Sequence, residues 1–334
     1  MKAITLNLDI PDKIELSSIE VPELGPNEVL VQVKAAALNH RDEWCRQGLY
    51  PNLKNGVVLG SDGSGIITEV GNEVNKSLIG NEIIINPAFA WGNDPKAQSR
   101  DFKILGMPDN GTLAEFVKVP VDRIYSKPEH LSWVESAALP LGGLTAFRAV
   151  CVQGNIRKSD KVLVTGFGGG VAQFAVQFAL TSGAEVFVSS SKMEKILQAK
   201  KLGVKKGFNY TDENWTNEAL EEIGGFDLII DSAMGDTLDN LIKVTKPGGR
   251  IVFYGATKGN PKGFQARKVF WNQIQLIGST MGNDSDFAEM LEMVKRGRIV
   301  PVVDQIFEFD QFLQAFDRMK EGLQVGKIVF RISE

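Results

Sequence analysis

The sequence of 334 residues is poor in the residues that build metal sites and disulfide frameworks. It contains two cysteines, Cys45 and Cys151, and two histidines, His40 and His130. Two cysteines are too few for a disulfide framework or a four-thiolate zinc site. No stretch approaches the roughly 20 apolar residues that a membrane span needs, and no signal-like apolar segment is visible. We therefore expect a cytoplasmic protein that does not act in a membrane.

The sequence also lacks a strong charge of either sign. It has 37 lysines and arginines against 41 aspartates and glutamates, a formal net charge of −4. No basic run or aromatic-basic interleaving is present, which argues against nucleic acid as a partner. The hydrophobic fraction of 43% is typical of a globular protein. We expect a small-molecule partner and, from the length, two domains.

The N-terminal third is patterned for β-structure. Apolar residues alternate with polar ones over residues 4–10 and 29–33, as in strands with one solvent-facing side. Glycines separate further short strands, at residues 65–70 and 82–85. This part of the chain predicts a compact β-barrel or sandwich.

From Ser132 onward, helical and apolar strand patterns alternate. Ser132 and Glu135 have the spacing of a capping box that opens a helix. The alternation predicts an open parallel sheet of about six strands, hence an α/β fold. The strands after the second helix are expected at residues 226–230, 250–254 and 274–278, and the segments after Gly282 are a helix (286–296), an extended segment (300–309), a helix (311–321) and a strand (327–332). We assign residues 1–125 to the first domain, 126–280 to the second and 281–334 to a return to the first.

The most informative segment is a glycine-rich turn at residues 166–170, which has the form of a dinucleotide-binding turn. An apolar strand pattern ends at Val164, and a helical pattern begins at Val171. The residues between them include four glycines, at 166, 168, 169 and 170. A second strand pattern at 185–188 completes the βαβ unit that such a turn requires. A flexible surface connection is the alternative, which this context disfavours. We place Gly166, Gly169, Gly170 and Val171 at the cofactor phosphates, and Gly168 is the least certain of the four glycines.

The end of the second strand of this unit indicates NADP(H). An NAD enzyme normally has an Asp or Glu here to bind the adenosine ribose 2′-hydroxyl, whereas this chain has three serines followed by Lys192 and Lys195. Ser190, Ser191 and Lys195 can donate to a 2′-phosphate. Alternatively, Ser191 caps the next helix and the lysines are only solvated, and both functions are compatible.

Several motifs together resemble the medium-chain dehydrogenase/reductase superfamily, in particular its zinc-free, quinone oxidoreductase-like branch. The similarity covers essentially the whole chain. The matching segments are residues 25–31, 39–42, 46–51, 60–65, 144–146, the glycine turn, 201–203 and 246–250. The resemblance implies a GroES-like β-rich catalytic domain divided around a doubly wound Rossmann domain, with the active site in the cleft between them.

The chain departs from the zinc-dependent members of that superfamily at the metal ligands. Those enzymes have a cysteine in the place of Asn39 and a Gly-His-Glu in the place of residues 60–62, which here are Gly-Ser-Asp. Their four-cysteine structural lobe has no counterpart either. These differences imply an enzyme without catalytic zinc. Without a Lewis acid, simple alcohol oxidation loses its main transition-state stabilisation, and reduction of an activated acceptor is favoured.

The resemblance also adds expectations about the cofactor and assembly. Tyr210 matches a tyrosine near the 2′-phosphate, although an ordinary aromatic at a strand end is an equal alternative. Gly255 and Ala256, after the predicted strand 250–254, are assigned to the cofactor site. The last Rossmann strand, near 274–278, pairs with its twin in such enzymes, so we expect a homodimer.

The predicted reaction is hydride transfer from NADPH to a quinone or an α,β-unsaturated carbonyl. Hydrogen-bond donors must meet the negative charge that develops on oxygen, and the catalytic candidates are Tyr50, Asn39 and Thr145. Tyr50 or water can supply the proton, and Asn39 and Thr145 can alternatively orient the nicotinamide. Tyr50 can instead be a packed aromatic.

Further candidates surround these residues. His40 is a possible proton carrier or an ordinary hydrogen-bonded residue. Trp44, Trp91 and Thr280, together with Tyr50, are assigned to the substrate site, although aromatic residues such as Phe89 and the tryptophans equally fill cores. The insertion-like stretch 86–111 is expected to border the cleft.

Two other functions remain open at this point. One is an NAD(P)-dependent alcohol dehydrogenase. The other is a non-catalytic dinucleotide-binding protein that senses redox state.

Overall fold

The computed structural model describes residues 1–333, which divide into two compact units. The first unit contains residues 1–142 and the chain from Asn283 onward, and the second contains residues 143–282. The chain therefore leaves the first unit and returns to it. None of the helices within the described residues is long and apolar enough to cross a membrane.

The helices and strands follow the chain in this order. Up to the second unit they are β1 (Lys2–Leu6), β2 (Ile14–Ser18), β3 (Glu28–Ala37), α1 (His40–Gln47), β4 (Asp62–Val70), β5 (Glu82–Ile85), β6 (Ala88–Phe89), β7 (Lys103–Ile104), β8 (Phe116–Pro120), β9 (Ile124–Ser126), α2 (Trp133–Ala138) and α3 (Pro140–Phe147). Next come β10 (Lys161–Val164), α4 (Gly170–Thr181), β11 (Glu185–Ser190), α5 (Met193–Lys201), β12 (Lys206–Asn209), α6 (Trp215–Ile223), β13 (Phe226–Asp231), α7 (Leu238–Val244), β14 (Thr245–Phe253), α8 (Ala266–Trp271) and β15 (Gln275–Gly278). The last elements are α9 (Asp284–Gly297), β16 (Val303–Glu308), α10 (Phe312–Lys320) and β17 (Lys327–Arg331).

The first unit is built on a seven-stranded sheet in which the last strand, β17, pairs with β3. The strand order is β16-β17-β3-β4-β5-β9, and β8 also pairs with β3. The C-terminal strand β17 lies antiparallel to β3, with Val329 opposite Ala37. The predicted strand over residues 29–33 is confirmed, and Val29, Val31 and Val33 are buried in one core. Its other side is not open to solvent throughout, because Leu30 is also buried. The return of the chain thus completes this core.

Helix α2 belongs to the first unit. Ser132 and Glu135 form the predicted capping box, with the Glu135 N–H donating to the Ser132 hydroxyl and Glu135 accepting from the Ser132 N–H. The helix packs Ala137 and Ala138 against Ala35, Ala37 and Val329. This small apolar cluster explains why the division falls at Gly142/Gly143 rather than at the predicted 125/126.

The second unit is a six-stranded parallel sheet, as predicted. The strand order is β12-β11-β10-β13-β14-β15, which becomes 3-2-1-4-5-6 when β10 is counted as the first strand. This is the order of a doubly wound nucleotide-binding fold, whose ligand site lies outside the carboxyl ends of the strands where the order reverses. Here that point lies between β10 and β13, and the glycine turn follows β10 directly.

Candidate active site

Gly168 has the strictest conformational requirement in the glycine turn. Its φ is +135°, a region that residues with a side chain rarely adopt. A methyl group added at Gly168 would also lie 2.7 Å from Cδ and 2.8 Å from Nζ of Lys195. The turn therefore needs glycine at this position for its backbone conformation, whereas the end of the Lys195 side chain can move. That Gly168 is the least certain of the four glycines at the phosphates concerns a different property and stays a prediction.

The remainder of the turn fits a pyrophosphate. Gly166 has a φ of +61° and is exposed. Gly169 is the N-cap of α4, with no side chain to satisfy the first turn of the helix, which Gly170 and Val171 begin. The unpaired N–H groups and the dipole at such an end favour a phosphate. A methyl group at Gly169 would meet only the Gly166 carbonyl oxygen, 4.0 Å away, so the approach is open.

The end of β11 differs in part from the prediction. The buried Ser190 hydroxyl donates to the Phe167 carbonyl oxygen at 3.1 Å, so its hydrogen supports the turn and is not available to a phosphate. Ser191 is exposed, but Lys192 is the N-cap of α5, and the predicted capping box at Ser191 is absent. Lys192 has an extended backbone, so the helix begins at Met193, one residue later than a cap at Ser191 requires.

Two lysines lie near this strand end, and the sequence pattern identified only one of them. Lys195 lies against Gly168, as described above. Lys258 has its ammonium 5.1 Å from the ring centroid of Tyr210, whose N–H donates to the Ser190 carbonyl oxygen. Lys258 follows β14 in a loop, far from Tyr210 in sequence, and no local pattern links the two.

The loops after β13 and β14 brace the same edge of the sheet. The buried Asp231 accepts hydrogen bonds from the Thr165 hydroxyl at 2.5 Å and from the N–H groups of Ala233 and Met234. A methyl group at Gly255 would lie 3.1 Å from the Ser232 carbonyl oxygen, so these two loops approach closely. Ala256, beside it, is exposed.

Two further candidates of the second unit lie in different surroundings. Thr145 is buried, and its hydroxyl contacts the Met281 sulfur at 3.7 Å. Thr280 is exposed. Met281 has a φ of +41°, which is unusual for a residue with a side chain and marks the end of the 278–282 segment as tightly constrained.

In the first unit, Asn39 is part of a buried polar cluster with Asp62 and Lys327. The Lys327 ammonium donates to Asn39 Oδ1 at 2.6 Å and to Asp62 Oδ2 at 2.8 Å. Asn39 Nδ2 donates to the same carboxylate oxygen at 3.0 Å, and the Leu141 N–H donates to Asp62 Oδ1 at 2.7 Å. Lys327 is 3% exposed and Asp62 is fully buried. We refer to Asn39, Asp62 and Lys327 as the amide–lysine cluster.

Sequence reasoning missed Lys327. It is the first residue of β17, and the three residues after it are apolar and buried, so the segment predicts only a strand. A charged residue at the end of an apolar strand is normally solvated. Its burial follows from the pairing of β17 with β3, since β3 leads directly towards Asn39.

Tyr50 is held by a buried arginine, Arg41. In the sequence, Arg41 stands out only as part of the matching segment 39–42. Arg41 Nε donates to the Tyr50 hydroxyl at 3.3 Å, and the guanidinium lies 4.8 Å from the centroid of the Tyr50 ring. The same guanidinium donates to Ser61 Oγ and to the Leu105 carbonyl oxygen, both at 2.6 Å. Because the Tyr50 oxygen accepts this bond, the phenol hydrogen remains a donor.

The start of α1 fixes the backbone of Asn39. Asp42 accepts from the Asn39 N–H at 2.8 Å and from the Gly60 N–H at 3.2 Å. Burial raises the pKa of the Asp42 carboxyl, and the neighbouring Arg41 opposes this shift. These bonds join Asn39, which precedes α1, to Gly60, which lies two residues before Asp62.

The aromatic candidates separate into two places. Trp44 is largely exposed, with its ring 6.2 Å from that of His40, which is also exposed. Trp91 is buried, and its Nε1 donates to the Asp94 carbonyl oxygen. Trp91 and Phe89 line a cavity of about 540 Å³ within the first unit, bordered by Arg123. Trp44 does not line that cavity.

Comparisons with known proteins agree with this architecture. Residues 25–129 match the model of the alcohol dehydrogenase GroES-like domain, and residues 170–296 match the model of the zinc-binding dehydrogenase family. A zinc-type alcohol dehydrogenase-like protein of Leptosphaeria maculans is 35% identical, over 96% of this chain and 94% of its own length. A crotonyl-CoA reductase of Streptomyces avermitilis is 26% identical over 97% of this chain and 83% of its own length. The crystal structure of an NAD-dependent alcohol dehydrogenase is 35% identical, with a TM-score of 0.94 and full coverage of both chains.

A GroES-like unit and a parallel-sheet unit with a dinucleotide turn define a nicotinamide-dependent oxidoreductase. The chain belongs to the medium-chain dehydrogenase/reductase superfamily, as the sequence motifs predicted. Its relatives include enzymes named as alcohol dehydrogenases and as crotonyl-CoA reductases. The family therefore gives the reaction type, and the site must give the acceptor.

The name of the second family model raises the question of zinc, and the residues at the candidate ligand positions do not fit it. Asn39 and Asp62 are hydrogen-bonded to an ammonium, and Ser61 accepts from Arg41 and donates to Leu105. A zinc ion would have to displace or oppose the Lys327 charge, and a neutral amide and hydroxyl are poor substitutes for thiolate and imidazole.

Proposed function

We propose that this protein is an NADPH-dependent, zinc-independent oxidoreductase that reduces quinones or α,β-unsaturated carbonyls. The amide–lysine cluster is the observation that carries the proposal. In this cluster, Asn39 and Asp62 stand at positions that the resemblance assigns to the metal-ligand motifs of the zinc-dependent enzymes. They supply an amide N–H donor and a carboxylate that is paired with the buried Lys327 ammonium. Hydrogen-bond donors stabilise an enolate or a hydroquinone anion, whereas alcohol oxidation without a Lewis acid lacks its main source of stabilisation.

The preference for NADPH rests on charge at the end of β11. No carboxylate follows Ser190 at the position that would bind a ribose 2′-hydroxyl. Lys195 approaches the glycine turn, and Lys258 lies over Tyr210 beside the same strand end. Two cations at this strand end favour a 2′-phosphate electrostatically. The relatives include an NAD-dependent alcohol dehydrogenase, so NADH is the alternative cofactor.

The reaction needs a hydride, a donor for the developing charge and a proton. When bound, NADPH would supply the hydride that reduces the electrophilic carbon of the acceptor. Asn39 Nδ2 donates to the oxygen on which the electron pair accumulates. The Tyr50 hydroxyl or water then returns a proton, and the Arg41 bond holds the phenol in one orientation for this role. Thr145 is proposed to orient the nicotinamide.

A panel of acceptors tests the proposal. Purified protein is mixed with NADPH or NADH and a series of quinones, α,β-unsaturated ketones and simple aldehydes, and cofactor oxidation is followed at 340 nm. We expect oxidation of NADPH with the conjugated acceptors and little with the simple aldehydes. The metal content of the same preparation is measured, and we expect activity to survive chelator treatment.

Each alternative function has its own result in this experiment. Stoichiometric, tightly bound zinc together with alcohol oxidation would show an alcohol dehydrogenase. Binding of NADPH without oxidation by any acceptor would favour a redox sensor.

We also propose that the protein forms a homodimer through the edge strand β15. This strand has one neighbour in the sheet, β14, so its other edge is open. The preceding helix exposes Trp271 by 78% and Phe270 by 67%, which is unusual for large apolar side chains. A second copy of the chain would satisfy the open strand and cover these rings. Analytical ultracentrifugation should show a dimer, and Trp271→Glu should shift it to a monomer.

A further inference from the structure

We infer that Lys327 is a positioning residue that fixes the orientation of the Asn39 amide, so that this amide presents an N–H to the oxygen of the substrate. The inference rests on the proposed function only for the identity of that substrate. Lys327 supplies a buried positive charge, and it acts through the side chain of Asn39.

The side-chain amide of Asn39 ends in two different atoms, the oxygen Oδ1 and the nitrogen Nδ2. An amide can be rotated by 180° so that its oxygen and nitrogen exchange places, and packing alone rarely distinguishes the two orientations. An ammonium only donates hydrogen bonds, so the Asn39 atom 2.6 Å from Lys327 must be the oxygen. The reverse orientation would direct N–H groups at the ammonium and the amide oxygen at the Asp62 carboxylate. Lys327 and Asp62 therefore select one orientation together.

Asn39 Nδ2 carries two hydrogens that can be donated. Of its two hydrogens, one is directed at Asp62 Oδ2, 3.0 Å away. No second acceptor for this nitrogen lies within hydrogen-bonding distance in the part of the first unit that the structure describes. Asn39 is 8% exposed, so the residue is not completely enclosed. The selected orientation thus leaves one N–H for a ligand.

Lys327 and Asp62 differ in what else holds them in place. The Leu141 N–H donates to Asp62 Oδ1 at 2.7 Å, so the carboxylate is held in place even without the lysine. The bond that only Lys327 makes is the one to Asn39 Oδ1. Removing the ammonium therefore loosens the amide more than the carboxylate, although Asp62 still accepts from the amide nitrogen.

A double-mutant cycle on kcat tests this coupling, using the best acceptor of the panel. We expect Asn39→Ala to lower kcat about 100-fold, the loss of one oxyanion donor. Lys327→Met should lower kcat about 30-fold, somewhat less because part of the amide population keeps its orientation. The Kd for NADPH should stay within about twofold of the wild type in both variants. In the Asn39→Ala background, Lys327→Met should change kcat by less than about threefold, because no amide remains to be oriented.

Additive losses in the double variant, or an Lys327→Met variant with wild-type kcat, would overturn the inference. If Lys327→Met does not fold, the variant carrying Asp62→Asn and Lys327→Met replaces it, since it leaves no buried charge unpaired. This variant should also lose about 30-fold in kcat, because neither partner then selects the amide orientation. Arg318→Met is the matched control, since it removes the Arg318–Asp304 ion pair of the same unit. It should lower stability and leave kcat unchanged.

A second measurement does not depend on activity. In apo-protein labelled with 15N, Lys327→Met should shift the side-chain NH2 resonances of Asn39 strongly and the backbone resonance of Leu141 little. Unchanged Asn39 side-chain resonances would refute the orienting role. If the wild type instead oxidises alcohols, the proposed function fails, and the same cycle measured on that reaction still tests Lys327 separately.

Discussion

Two buried carboxylates, one in each unit, are satisfied in different ways. Asp231 lies at the end of β13 and accepts from the N–H groups of the residues two and three positions later. Asp62 lies at the start of β4 and accepts from Asn39, Leu141 and Lys327, which are 23, 79 and 265 positions away. The two side chains are equally inaccessible to solvent, at 1% and 0% exposure.

The comparison separates a site made by the local backbone from one made by distant side chains. The edge of the parallel sheet is shaped by glycines and by turns that follow their strands, so its chemistry is that of N–H groups. The amide–lysine cluster depends on a strand that the chain supplies only at its end. We therefore expect the first kind of site to withstand side-chain substitutions that disrupt the second.

The largest effect should come from Lys327→Met. It leaves the Asp62 carboxylate buried without its counter-charge, and breaking such a pair by removing one partner costs about 3–5 kcal/mol of unfolding free energy. Urea denaturation followed by circular dichroism measures the loss. The variant with Asp62→Asn added should recover most of it, because no unpaired charge remains. Equal stability of the two variants would mean that water compensates Asp62 and that the cluster is less closed than it appears from the exposed fractions.

The next effect is expected at Gly168. Gly168→Ala places a side chain at a φ of +135°, which costs about 1–3 kcal/mol through backbone conformation, and its methyl group overlaps Lys195. NADPH affinity, measured by isothermal titration calorimetry, should fall at least about tenfold as the turn shifts. Gly263→Ala is the control, since a methyl group at Gly263 meets nothing within 4 Å. Similar affinities for both variants would show that the turn tolerates the change.

Charge reversal at the end of β11 should have a smaller and selective effect. Lys195→Glu should weaken NADPH binding by about 2 kcal/mol, the order of one charge-assisted hydrogen bond, and weaken NADH binding little. Lys258→Glu should act in the same direction with a smaller loss, because its side chain reaches Tyr210 from a loop. Comparing Kd values for the two cofactors gives the answer, and equal losses for NADPH and NADH would remove both lysines from the 2′-phosphate.

The smallest effect is predicted for Thr165→Val. It removes the hydroxyl donor to Asp231, but the two N–H groups of the following turn remain. The loss in unfolding free energy should be about 1.5 kcal/mol, the lower end of the range for a hydrogen bond to a charged group. A loss comparable to that of Lys327→Met would contradict the distinction between the two carboxylates.

Local patterns predicted the elements and the turn but not every contact. The glycine turn, the six parallel strands and the Ser132 capping box were all legible, because strand periodicity, glycine spacing and cap residues act over a few positions. The cap predicted at Ser191 is wrong, because the helix begins one residue later than the pattern indicates and Lys192 is its N-cap. The conformational requirement at Gly168 was missed because the spacing of the glycines does not show which position of the turn takes a φ of +135°.

The sequence by itself determined the family, the two kinds of domain and a dinucleotide turn, because each rests on periodicity and motifs that neighbouring residues define. Only the tertiary structure decided that Lys327 is buried against Asn39 and Asp62, and that Lys258 lies over Tyr210. The reason is that burial of a charge is favourable only when its partner is already in place. For Lys327 that partner is brought there by the pairing of the last strand with the third, which no stretch of sequence around the lysine specifies.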